Sequence, residues 1–203
     1  MNIFERFGIL LPACAGGLFE KDINLIGVDF GDGDIRAFLA KHYWEEKDGR
    51  YQFTPDAEIV GLKLGTKDKK ANVLRVEDGK ASLLNTDDIR IHAELTGEIY
   101  SNYKRCPGDE ARSRYIFEDG SQSQYTYNDL MAMAFNCLVN DIFSRTSIGP
   151  INADIDFSLP TLLVVGRPSG GRWPECEKEY REILKSRLHV EGYDQEIEGL
   201  VVS

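Results

Sequence analysis

The sequence predicts a mixed α/β fold in which a β-sheet is flanked by helices. Three observations predict it. Alternating or apolar runs, separated by glycine-bearing turns, fill the first part of the chain. A capped, helix-periodic stretch begins near Tyr127. A continuous apolar run, Thr161-Leu-Leu-Val-Val165, then precedes a second helical pattern and a closing apolar run, Leu200-Val-Val202. Strands, an inserted region, a helix, a buried strand, a helix and a further strand make an α/β or α+β arrangement.

Asn24-Leu-Ile-Gly-Val-Asp-Phe-Gly-Asp-Gly-Asp34 ends an apolar run in an acid and a glycine-rich turn. Ile35 to Trp44 reads as the returning strand, so a β-hairpin is expected. Lys47-Asp-Gly-Arg50 is a second turn signal. Tyr51 to Phe53 and Glu58 to Leu64 read as strands, and Gly65-Thr-Lys-Asp-Lys-Lys70 as a solvated basic loop. Asn72 to Val76 and Ala81 to Leu84, around Glu77-Asp-Gly-Lys80, form another hairpin pattern. From Asp87 to Tyr103 the periodicity is ambiguous, and Pro107-Gly108 then breaks the chain. Thr126 and Asp129 form an acidic capping box. Leu130, Met133, Ala134, Cys137, Leu138, Ile142 and Phe143 recur at helical spacing, which predicts a helix from about Tyr127 to about Arg145. Thr146 to Leu159 reads as a polar linker and Gly166 to Pro174 as a loop. Glu175 to Leu188 reads as a helix started by Pro174, with Tyr180, Ile183, Leu184 and Leu188 on one face.

The chain has 203 residues, 42% hydrophobic and 29% charged, which suits one large folded domain or two small ones. A net charge of -10 argues against nonspecific nucleic-acid binding, which needs a basic face, but permits a local ATP pocket. The four cysteines, Cys14, Cys106, Cys137 and Cys176, form no C-x-x-C pair. No zinc knuckle is expected, and the expected compartment is a reducing cytoplasm. No run reaches the ~18 apolar residues of a membrane span. Ile9 to Gly17 resembles a lipoprotein signal around Leu11-Pro-Ala-Cys14, but Glu5 beside Arg6 and Pro12 within a short apolar stretch depart from that pattern. A mobile or docking N-terminal extension over residues 1–21 is expected instead.

Gly31 and Gly33 alternate with Asp32 and Asp34. Glycine permits φ > 0 and lets backbone N–H groups approach a ligand. Exposed N–H groups in a turn make an anion site, and Asp29 at the strand end can hold a hydrated metal ion. Two readings stand: a metal–phosphate pocket, and a polar hairpin turn with no ligand. Asp29-Phe-Gly31 matches the magnesium tripeptide of protein kinases, but none of the accompanying kinase signatures is present. Asp32 and Asp34 lack the third acid and the glycine of a calcium loop. Gly166-Arg-Pro-Ser-Gly-Gly171 has P-loop glycine spacing, but Arg172-Trp173 stands where Lys and a hydroxyl belong, so it reads as a structural connection. Lys104-Arg105 reads either as surface charge or as a lysine reaching a terminal phosphate. His42, His92 and His189 share no ligand spacing.

In this order the pieces resemble the first lobe of the actin, sugar-kinase and heat-shock superfold, which is ribonuclease H-like, and most of all the heat-shock-70 (DnaK-like) family. The resemblance covers about Asp22 to Ser203. Asn24 to Asp34 resembles the first phosphate-binding hairpin, and Asn102-Tyr-Lys-Arg-Cys-Pro-Gly108 the segment with the catalytic lysine. Leu162-Leu-Val-Val-Gly-Arg-Pro168 resembles the core strand and proline connection, and Glu198 to Ser203 the approach to a second catalytic acid.

The resemblance implies an actin-like ATPase lobe over residues 22–203, with a smaller α/β subdomain inserted over about 43–118. It implies that Asp29 orients hydrated Mg2+ and that the N–H groups of Gly31, Asp32 and Gly33 wrap the ATP phosphates. Lys104 would stabilise charge at the γ-phosphate and the attacking water. Implied partners are ATP and ADP, with protein clients or a co-chaperone for the full-length protein, and neither nucleic acid nor membrane. Asp32 and Gly33 replace the family's hydroxyl residues, which adds negative charge facing phosphate. The next catalytic carboxylate and the second lobe would follow Ser203, so the chain is expected to be part of a longer protein and to bind nucleotide weakly or not at all by itself. A non-catalytic scaffold or filament protein, and a sugar or acyl kinase, are alternatives on the same superfold.

Overall fold

The computed structural model describes residues 23–41, 44–47, 50–53, 57–90, 96–101, 103, 125–166, 178, 180–184 and 188–202. Strands β1 (Asn24–Phe30) and β2 (Asp34–Lys41) form the expected hairpin, antiparallel from Leu25 opposite Ala40 to Phe30 opposite Ile35. Lys41 is the last residue of β2 paired in the sheet, and its ammonium pairs with Asp154. Residues 42 and 43, over which the strand is expected to run on to Trp44, lie outside the described residues. β3 (Trp44–Lys47) and β4 (Arg50–Phe53) pair with Lys47 opposite Arg50, the register that the turn signal requires.

β5 (Glu58–Leu62) and the short β6 (Lys70–Ala71) both pair with β2, so parts of the 43–118 stretch belong to the main sheet. β7 (Leu74–Glu77), β8 (Lys80–Leu83) and β9 (Glu98–Tyr100) make a separate three-stranded sheet in the order β8-β7-β9.

Helix α1 (Tyr127–Ile142) opens on the capping box read from the sequence. Thr126 Oγ1 accepts from the Asp129 N–H, and Asp129 Oδ2 accepts from the Thr126 N–H. The helix ends before Arg145 because its last carbonyls are taken from outside. The Asn152 amide donates to the carbonyl of Ile142, and the Ser144 hydroxyl to that of Asp141. The stretch read as a polar linker therefore carries structure: β10 (Arg145–Thr146) pairs with β11 (Gly149–Pro150), and buried Asn152 bonds both the N–H and the carbonyl of Lys63.

β12 (Thr161–Gly166) and β13 (Ile197–Val202) complete a six-stranded mixed sheet in the order β13-β12-β1-β2-β5, with β6 also on β2. β1, β12 and β13 run parallel, while β1–β2 and β2–β5 are antiparallel. β12 is buried from Thr161 to Val165, as a continuous apolar run requires of a strand covered on both faces.

One sheet face, with Ile26, Val28, Phe30, Ile35 and Leu163, joins α1 in the main core. Phe135 of α1 stacks on Phe30 at 4.9 Å between ring centroids and meets Tyr180 edge-on at 5.8 Å. Residues 180–184 are helical and lie so close to β13 that a Cβ on Gly199 would stand 2.6 Å from Leu184 Cβ. The opposite face carries a smaller cluster of Leu25, Ala40, Leu162, Val164 and Leu200.

Buried Asn24 ties the start of β1 to the approach to β12. Its Nδ2 donates to the Asp156 carbonyl at 2.8 Å, and its Oδ1 accepts from the Asp156 N–H at 3.1 Å. No helix among the described residues is long and apolar enough to cross a membrane.

Candidate functional site

Strand residues alternate between faces, so β1 buries Val28 and Phe30 and leaves Asp29 exposed between them. The register sets Asp29 opposite Arg36. Its carboxylate makes no hydrogen bond or ion pair among the described residues.

The turn that follows is Gly31-Asp32-Gly33. The Gly31 N–H donates to the Asp34 carbonyl at 3.0 Å. A Cβ on Gly31 would stand 2.8 Å from that same oxygen, so close approach is what demands glycine there. Neither Gly31 nor Gly33 has a positive φ, so the left-handed turn suggested by the glycine spacing does not form. Gly33 has open space where a Cβ would be, and its N–H makes no hydrogen bond among the described residues. Asp32 is exposed.

Asn72 holds this turn from behind. Its Nδ2 donates to the Gly31 carbonyl at 2.7 Å, and its backbone N–H donates to the Gly33 carbonyl at 2.9 Å. Its Oδ1 accepts from the Tyr103 hydroxyl. Both side chains are inside, Asn72 at 4% and Tyr103 at 1% exposure. Burial pushes the Tyr103 phenol above its ordinary range, which keeps it a neutral donor.

Asp34 opens β2, and Lys69 Nζ donates to its Oδ2 at 2.6 Å, with Arg36 at 3.9 Å. The 65–70 stretch, expected to be a solvated basic loop, is instead tied down by acids. Lys69 holds Asp34, Lys67 lies 4.0 Å from Asp87, and Lys70 lies 3.4 Å from Asp141 of α1. The reason is β6: its pairing of Ala71 with Asp34 returns the loop to the hairpin. Lys104 lies outside the described residues; among the described residues, Lys69 and Arg36 are the cations that pair with Asp34 at the hairpin. No local signal marks Lys69, since its partner is 35 positions away.

Among the described residues no group of three or more His, Cys, Asp or Glu side chains can hold a metal ion. Magnesium keeps several waters and takes one or two carboxylates plus substrate phosphates. A single unpartnered carboxylate, Asp29, fits that donor set. The neighbouring acids Asp32 and Asp34 raise the cost of bringing a bare phosphate close, and a bound cation would offset it. Of the other sequence candidates, His42, His92 and residues 167–174 of the glycine loop lie outside the described residues. His189 is exposed, and only its backbone groups bond Asn136 and Asn140. Burial, then the nearby Asp141, pushes the Cys137 thiol up to about 11, which keeps it protonated and unreactive. No protein-family model matches the chain, and a search of the curated proteins finds no match.

Proposed function

We propose that this chain is one lobe of a heat-shock-70-like, actin-like ATPase whose first hairpin receives the phosphates of Mg-ATP. The observation that carries the reading is the sheet order. An antiparallel β1–β2–β5 meander continues through β1 into parallel β12 and β13, with Asp29 and the glycine turn at the tip of the central hairpin. That order supports the ribonuclease H-like lobe implied by the sequence resemblance. In this reading Asp29 orients hydrated Mg2+, the Gly33 N–H meets a phosphate oxygen, and Lys69, held beside the turn by Asp34, adds positive charge there. Bound magnesium supplies charge neutralisation for the phosphates. Lys104 keeps its role at the γ-phosphate by resemblance only. ATP and ADP are the ligands, in a reducing cytoplasm, with protein clients or a co-chaperone engaged by the full-length protein.

The test is a heteronuclear NMR titration of the chain with ATP, with and without magnesium. The amides of Gly31 to Asp34 are expected to shift saturably. Asp29→Asn should remove the magnesium dependence, and Lys69→Met should weaken the response about tenfold, the weight of one charge-assisted hydrogen bond. Stationary hairpin amides up to about 10 mM Mg-ATP, both in this chain and in a chain extended through the expected second lobe, would refute the reading, because binding weaker than that is worth under about 3 kcal/mol.

One observation favours the scaffold alternative. The acid–lysine contact at 2.6 Å already satisfies the cation that a phosphate would use. On that reading the hairpin stays silent to Mg-ATP while the protein self-associates, which sedimentation at several concentrations would record.

A further inference from the structure

We propose that the free edge of β5 pairs with β5 of a second copy of this chain, antiparallel across a two-fold axis at Val60. The proposal stands apart from the ATP reading and does not use Asp29 or the glycine turn. β5 ends the main sheet and pairs with β2 on one side. The backbone groups of successive strand residues point alternately to the two sides of a strand. Lys63, next after β5, gives both its N–H and its carbonyl to the Asn152 side chain rather than to β2. The groups of Gly61 and Ile59 therefore also face away from β2. Neither residue makes a hydrogen bond on that side among the described residues. Asn152 closes the edge at Lys63 and leaves two N–H and two C=O groups open beside it. Such an edge is a template for another strand, and Glu58-Ile-Val-Gly-Leu62 holds neither the lysine nor the proline that usually blunts one.

Register and side chains select the occupant. Between two copies of β5, only the register that sets Ile59 opposite Gly61 and Gly61 opposite Ile59 satisfies all four open groups of each. Three large hydrophobic side chains are exposed among the described residues, and two border this edge, Ile59 at 45% and Phe38 at 37%. They share one face of the sheet, and Phe38 is the register partner of Gly61. A Cβ on Gly61 would meet nothing within 4 Å. Ile59 of the second copy would stand across Gly61 from Phe38, so the two exposed apolar side chains close one gap, once in each copy. Charge permits the pairing. Glu58 is the one charged residue of β5, and the two copies' Glu58 would lie at opposite ends, roughly 13 Å apart along the strands and beyond a Debye length of about 8 Å. Each would meet the end that carries Lys63, whose ammonium also holds Asp68. A two-fold pairing closes at two copies, unlike the open assembly of a filament.

Sedimentation of the chain from about 10 μM to about 1 mM tests this, with cross-linking to read the register. The chain should pass from monomer to dimer and stop there. Ile59→Lys should weaken the dimer about tenfold or more and leave the monomer's urea midpoint in place. In the proposed register the two Val60 residues form a non-hydrogen-bonded pair with Cα atoms about 4.5 Å apart, within disulfide reach. The two Ile59 residues stand about 8–9 Å apart, outside it. Mild oxidation should therefore cross-link Val60→Cys through position 60, read by peptide mass against the wild-type chain with its own four cysteines, and Ile59→Cys much less. A monomer up to about 1 mM, growth beyond the dimer, undiminished association of Ile59→Lys, or equal cross-linking at positions 59 and 60 would overturn the proposal. Asp29→Asn should leave the dimer intact, so failure here and failure of the ATP reading are separable.

Discussion

Asn72 is one buried side chain that satisfies groups on two sides. Replacing it with alanine leaves the Tyr103 hydroxyl without its partner in the interior and the half-buried Gly31 carbonyl without its side-chain donor. Each orphaned polar group costs roughly 1–3 kcal/mol, so Asn72→Ala should lose about 2–4 kcal/mol. Urea unfolding would record this as a lower midpoint at unchanged slope. A loss below about 0.5 kcal/mol, the level of an ordinary surface change, would mean that the turn holds its own shape. Asp29 and Gly31 were readable in the sequence because an acid and a glycine at the end of an apolar run form a local pattern. Lys69, Asn72 and Tyr103 were not. They act on partners 35, 41 and 31 positions away, and nothing in a neighbouring residue type announces such a meeting.

The start of helix α1 is legible because its cap is local, while its end is set by Asn152 arriving from a later turn. The last turn also carries Asp141, whose carboxyl burial pushes up, against the opposing pull of Lys70. An acid with a raised folded pKa adds stability that is complete below its unfolded value of about 3.9 and is lost as pH rises through the folded value. Wild-type stability should therefore fall across that window relative to Asp141→Asn, which has no proton to lose there and keeps an acceptor for Lys70. Urea unfolding of both proteins over a pH series checks this. A difference that stays constant from about pH 4 to pH 7 would mean that Lys70 cancels the burial effect.

The strands of the main sheet other than β6, which lay in a stretch read as a loop, could be listed from the sequence but not ordered. The run at Thr161 announced a buried strand, yet no local feature said that it would lie beside β1, or that β5 and β6 would extend β2. Such neighbours are chosen by long-range packing, to which local periodicity is blind. The order makes a prediction about exchange. β1 and β12 are central and paired on both sides, so their amides should exchange with deuterium slowest, and those of β5 and β6 much sooner. Equal protection across the sheet would show that it opens only as a unit. The same pairing bears on synthesis. Asn24 must wait for Thr161, 137 positions later, before β1 gains its parallel neighbour. At ribosomal speeds of about 5–20 residues per second the wait is on the order of ten seconds. Throughout it, the nascent β1–β2 hairpin presents an unpaired apolar edge of the kind that recruits foreign strands. A factor that shields nascent chains would act in that interval, and slowing translation between β2 and β12 would lengthen the exposure and lower the yield of folded protein.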